Sequence, residues 1–137
     1  MGSDRENCGI PFAVTTILVV EDDAQSRTLF RDLLEVWHYM VLDAVDAEQA
    51  WEIMQRATVD LVVMDIQLPG GSGEGLLLRM KEDRRLRALP VLAVTAFAMR
   101  GDRERLISVG FDEYLPKPID TRTFPGVVAS LLQEATA

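Results

Sequence analysis

Three unbroken apolar runs mark the chain: Ile17-Leu18-Val19-Val20, Leu61-Val62-Val63-Met64 and Val91-Leu92-Ala93-Val94. They are too short for surface helices and apolar on every side, so they read as strands covered on both faces. The segments between them change period. Leu29, Leu33, Leu34 and Trp37 recur at helical spacing, predicting a helix over about 24–37 capped by an acid of the 21–23 cluster. A strand near 40–44 follows. Asp46 then opens a helix carrying Ala50, Trp51, Ile53 and Met54, and Gln49 three residues on makes a variant capping box. Trp37 and Trp51 are assigned to core or helix-face packing.

The strand at 60–65 precedes a flexible loop, 66–73, and a helix near 74–83. Pro90 opens a strand at 91–95, where an N–H is dispensable. Residues 101–109 read as a helix closed by Gly110, and 111–115 as a short strand. Pro116-Lys117-Pro118 forms a rigid turn, and Asp120 caps a last helix to about 133, with Pro125 in its first turns. Strand and helix thus alternate five times. Such alternation predicts a parallel sheet with helices on both faces, joined by right-handed crossovers.

Charge and composition narrow the function. The 137 residues carry 14 basic and 22 acidic side chains, a net charge of −8. An acidic domain of this kind does not hold nucleic acid through its phosphates, so no direct nucleic-acid partner is expected. No apolar run approaches the roughly 18–20 residues that span a bilayer, so no membrane partner is expected. The single cysteine, Cys8, fits a reducing cytosol, and a cytoplasmic location is the expectation. Residues 1–15 are read as an N-terminal arm and 16–134 as one domain.

The chemistry gathers at the strand ends. The first run leads into Glu21-Asp22-Asp23, the third strand ends on Asp65, and the 91–95 strand ends on Thr95. In a parallel sheet these ends share one edge, the edge at which open α/β sheets place their sites. Glu21, Asp22 and Asp65 together would repel one another, and a hard divalent cation such as Mg²⁺ would relieve this. Asp65 can act as a nucleophile, forming an aspartyl phosphate. Lys117 can neutralise one phosphoryl oxygen, and the Thr95 hydroxyl can donate to another.

Those residues carry a resemblance. An acidic pair after the first strand, an aspartate after the third, Ser or Thr after the fourth, an aromatic in the fifth and Lys-Pro after it resemble the receiver domain of two-component response regulators. Here the positions are Glu21/Asp22, Asp65, Thr95, Tyr114 and Lys117-Pro118. The separations are 43 from Asp22 to Asp65, 30 to Thr95 and 22 to Lys117. The stretch from Thr95 to Asp102 resembles single-domain, cell-cycle-type receivers. The resemblance implies a flavodoxin-like (βα)5 three-layer sandwich with a five-stranded sheet of order 2-1-3-4-5. It implies that Asp65 is the phosphoacceptor, and that Asp22, Asp65 and the Gln67 carbonyl ligate Mg²⁺, with Glu21 acting through water. Asp23, where the family often has a third acid, is assigned no ligand role. Thr95 and Tyr114 are implied as the switch, and the bond before Pro118 as cis.

The implied partners are a histidine kinase or histidine phosphotransfer protein, a downstream protein target, and a second copy through the 101–133 face. Two alternatives accompany this reading: a receiver cut from a larger response regulator or hybrid histidine kinase, and an aspartyl-phosphate phosphatase. The phosphatase pattern wants an acid two positions after its nucleophile, where this chain has Gln67. Gln67 and Phe97, two positions after Asp65 and Thr95, flank the pocket where attacking water would enter. The run Gly70-Gly71-Ser72-Gly73-Glu74-Gly75 fits neither nucleotide-binding glycine pattern. His38 has no partner His or Cys at ligand spacing.

Overall fold

Each predicted strand alternates its side chains between two apolar layers, and this places helices on both sides of one sheet. The computed structural model describes residues 14–69, 71–96 and 99–136. The arm before residue 14, Cys8, Gly70 and Phe97 lie outside them. The elements are β1 (Thr16–Val20), α1 (Ala24–Glu35), β2 (Met40–Ala44), α2 (Ala47–Arg56), β3 (Leu61–Asp65), α3 (Gly73–Glu82), β4 (Val91–Thr95), α4 (Asp102–Val109), β5 (Glu113–Pro116) and α5 (Phe124–Thr136). The strands form one parallel sheet of order β2-β1-β3-β4-β5. The parallel sheet is the one the alternation predicts, and its order is the flavodoxin-like one the resemblance implies.

Two cores follow from the alternation. Leu18, Val20, Val62, Met64, Val91 and Ala93 face α2, α3 and α4, whose Met54, Leu77, Met80 and Leu106 are buried against them. Ile17, Val19, Leu61, Val63, Leu92 and Val94 face α1 and α5, whose Phe30, Leu34, Phe124 and Val128 close the other side. The rings of Phe30 and Phe124 meet at 5.4 Å, joining α1 to α5. Burying such a side chain contributes about 1.5–3 kcal/mol.

Several boundaries differ from the sequence reading, each for a local reason. α1 ends at Glu35, not 37. Tyr39 donates its N–H to the Leu34 carbonyl and His38 to that of Glu35, with His38 at φ 67°. That is a Schellman closure with histidine where glycine is usual. Trp37, beyond the helix end, is 59% exposed and outside the core. Trp51 does pack on a helix face, with the Arg79 guanidinium 4.1 Å from its ring centre.

The last strand starts at Glu113 because Phe111 donates back to the Leu106 carbonyl and its ring enters the core. Asp120 caps a turn and not the helix. Its Oδ1 accepts from the Arg122 N–H and its carbonyl from those of Thr123 and Phe124, so α5 opens at Phe124 with Pro125 second. Within the stretch read as a flexible loop, Gln67–Leu68 pair antiparallel with Gly71–Ser72. Ser72 caps α3 by accepting from the Gly75 N–H. The Asp46 cap has its box closed by Gln49, whose side chain accepts from Val45 N–H.

Candidate functional site

The ladders continue one residue past the strand ends and so fix the first residue of each loop. Glu21 donates its N–H to the Ala44 carbonyl, Ile66 to that of Val94, and Lys117 to that of Thr95. Three loops are thereby held at the carboxyl edge of the sheet.

Glu21, Asp22 and Asp65 converge there, each offering a carboxylate oxygen within 4.8 Å of the others. Glu21 is 1% exposed and Asp65 7%, while Asp22 faces solvent. Lys117 reaches into this group from the turn after β5. Its Nζ donates to Glu21 Oε1 at 2.6 Å and to Asp65 Oδ2 at 3.0 Å. Asp65 Oδ1 accepts from the Gln67 N–H at 3.0 Å, and Glu21 Oε2 accepts from that of Asp23. The Glu21 and Asp65 carboxylates are thus oriented by protein groups. The Lys117–Pro118 peptide is cis.

The electrostatics are those of a desolvated, partly neutralised cluster. Burial pushes the Glu21 carboxyl above its ordinary range, against the pull of Lys117 and the Asp23 N–H, and the Asp65 charge adds to the rise. Burial pushes the Lys117 ammonium down, but its bonds to Glu21 and Asp65 and their charges outweigh it and hold the group above its usual range. Lysine stays protonated. Three acids against one lysine leave the cluster negative, and its oxygen-only donors, open to water on the Asp22 side, suit a hard divalent cation.

Thr95 is buried at the end of β4, and its register partner is Pro116. Tyr114 is half-buried on β5, packed against the core shared with α4. Burial and the nearby Asp102 charge push its phenol up. Asp23 turns away from the cluster and caps α1, accepting from the Ser26 N–H at 2.9 Å. Gln67 is exposed beside Asp65.

Two contributors escaped the sequence reading. Gly73 lies against the end of β3, where an added Cβ would sit 2.8 Å from the Asp65 carbonyl oxygen. Arg27, on α1, donates to the carbonyls of Glu21 and Asp22. Neither is flagged by residue type, because Gly73 acts by lacking a side chain and Arg27 bonds backbone carbonyls.

Residues 17–129 match the family model of the response regulator receiver domain. The chain belongs to this family. It is 39% identical over 120 residues to the polar-differentiation response regulator DivK of Brucella ovis, a match covering 88% of this chain and 98% of that one. A putative response regulator from Chloroflexus aurantiacus superposes with a TM-score of 0.83 at 26% identity, covering 88% of this chain and 99% of that one. The receiver domain of the sensor histidine kinase PA1611 from Pseudomonas aeruginosa PAO1 was solved with a magnesium ion coordinated in its active site cleft. It matches at 29% identity with a TM-score of 0.80, covering 88% of this chain and 99% of that one. This receiver is therefore a two-component signalling domain, of a family whose members are phosphorylated on an aspartate. None of its described helices is long and apolar enough to cross a membrane.

Proposed function

We propose that Asp65 is the phosphoacceptor of this receiver, charged by a histidine kinase or histidine phosphotransfer protein, and that output runs through protein contacts. The observation that carries this is the meeting of Asp65 with two further carboxylates and Lys117 at one sheet edge. An Asp65 carboxylate oxygen attacks the phosphorus of the donor's phosphohistidine. The P–N bond breaks, and its electron pair leaves with the imidazole, which takes up a proton. Positioning and charge neutralisation dominate such a transfer, and little covalent help is needed. Lys117 already holds Asp65 Oδ2 and can follow the charge onto a phosphoryl oxygen. The Thr95 hydroxyl, at the end of the neighbouring strand, donates to another.

Asp22, Asp65 and the Gln67 carbonyl would hold Mg²⁺, with Glu21 reaching it through water, and the ion would neutralise charge on the phosphoryl oxygens. The oxygen-only donor set supports that choice of ion. Thr95, drawn toward the phosphoryl group, gives Tyr114 room to turn. The face built from α4, β5 and α5 then binds a downstream target or a second copy of the chain. The receiver unit is taken as 16–134, working in the cytoplasm, and it assists its own phosphorylation and dephosphorylation.

An apolar hollow beside the site suits the donor's approach. Ser26, Leu29, Phe30, Ala96, Pro118 and Ile119 line it next to Lys117. Incubation with phosphoramidate and Mg²⁺, read by intact mass and peptide mapping, tests the assignment. One phosphoryl group on Asp65 is expected, lost in Asp65→Asn and in chelator. Full labelling of Asp65→Asn would overturn it.

A further inference from the structure

The Arg27 guanidinium is bonded to the backbone of the acid loop and not to its carboxylates. A single nitrogen, Nη1, donates to the Glu21 carbonyl at 2.9 Å and to the Asp22 carbonyl at 3.0 Å. Arg27 is itself anchored in the first turn of α1, where its N–H bonds to the Asp23 carbonyl. A cation in that turn is the wrong charge for a helix N-terminus. A local rule broken beside a functional site is where a compensating task is to be sought.

The task is visible in what each acid has to hold it. Lys117 and the Asp23 N–H orient Glu21, and Lys117 and the Gln67 N–H orient Asp65. The exposed Asp22 carboxylate receives neither bond from Lys117, so its place depends on the backbone that carries it. Arg27 grips that backbone through the two peptides that flank the Asp22 α-carbon.

We infer that Arg27 is a positioning residue that clasps the Glu21 and Asp22 carbonyls and thereby keeps the Asp22 carboxylate converged with Glu21 and Asp65 for cation binding. The inference rests on the Mg²⁺ reading above, and its sign separates it from a simple charge effect. A positive charge near a cation site weakens binding, so deleting Arg27 for charge alone would tighten it. Loss of the clasp weakens it.

The test compares the wild-type chain with Arg27→Met, which keeps the apolar stem and loses the donors, and with Arg27→Lys. Carbonyl ¹³C shifts of Glu21 and Asp22 are recorded in chelator, and Mg²⁺ is then titrated in by calorimetry, with Asp22→Asn as control. Arg27→Met should move both carbonyl shifts with the remaining spectrum folded, and raise the Mg²⁺ dissociation constant by about tenfold, the usual scale for removing a residue that orients a metal ligand. Arg27→Lys should recover part of the affinity. Unchanged carbonyl shifts, or Mg²⁺ bound as tightly as or more tightly than by wild type, would overturn the clasp. A wild-type chain that takes up no Mg²⁺ would overturn the metal reading and the affinity effect with it, leaving the carbonyl shifts to judge the contact itself.

Discussion

A methyl group at Gly73 would meet the Asp65 carbonyl oxygen at 2.8 Å, Met64 Sδ at 3.0 Å and Ile66 Cα at 3.1 Å. Two of those atoms are backbone at the end of β3, so the strand end must shift to admit it. Gly73→Ala is expected to cost about 1–3 kcal/mol in urea unfolding, as overpacking does elsewhere. It should also slow phosphoramidate labelling by about tenfold through misplacement of Asp65. A variant as stable and as fast as wild type would show that the close approach is without consequence. The acids, Thr95 and Lys117 were legible in the sequence because their chemistry is carried by residue type at strand ends. Gly73 was not, since nothing in a run of closely spaced glycines says which one touches the strand. Arg27 and His38 were hidden for the same reason: a bond to a carbonyl and a positive φ leave no mark on composition.

Among the elements, strands were easier to read than helix ends. Strands buried on both faces are written as apolar runs, whereas a helix end is decided by hydrogen bonds such as that from Tyr39 to Leu34. α1 shows the consequence. Its buried residues are Phe30 and Leu34, while Leu29 is 39% exposed at the rim of the hollow beside Lys117. The spacing of Leu29, Leu33, Leu34 and Trp37 thus ran partly along a face turned to solvent. If the hollow receives the donor protein, Leu29→Asp will reduce phosphotransfer from a cognate kinase or phosphotransfer protein by about tenfold. That is the effect of losing about 1.4 kcal/mol at an interface. Labelling by phosphoramidate will stay within twofold (roughly 0.4 kcal/mol on the same scale) of wild type. An equal loss with both donors would place the effect in the site and not at a docking surface.

At the scale of the molecule, the sheet gathers charge at one edge. Carboxylates within 4.8 Å repel by about 1–3 kcal/mol per pair at effective dielectrics of roughly 80 to 20. From mutual repulsion alone, Asp65→Asn or Asp→Ala changes in the cluster would stabilise the metal-free fold. Lys117 changes that expectation, because it bonds Glu21 and Asp65 but not Asp22. In chelator Asp22→Asn should therefore raise Tm, by about 4 °C for each 1 kcal/mol relieved. Asp65→Asn should raise it less, since it weakens a Lys117 bond. Saturating Mg²⁺ should raise the wild-type Tm by mass action and the Asp22→Asn Tm far less. Coincident melting curves with and without Mg²⁺ would contradict the converged cluster.

The same sheet connects the edge that holds Asp65 to the face made by α4, β5 and α5, with Thr95 at the end of β4 and Tyr114 on β5 beside it. Carrying that face from 1:99 to 99:1 needs about 5.5 kcal/mol of differential interaction. Two or three charge-assisted hydrogen bonds to a phosphoryl group, at roughly 1.5–3 kcal/mol each, can supply it. Backbone amide NMR shifts with and without beryllofluoride and Mg²⁺ test this link most directly. Shift changes are expected at Thr95 and Tyr114, continuing along α4 and β5 into α5, and absent in Asp65→Asn. Changes confined to the loops around Asp65, with that face silent, would contradict it.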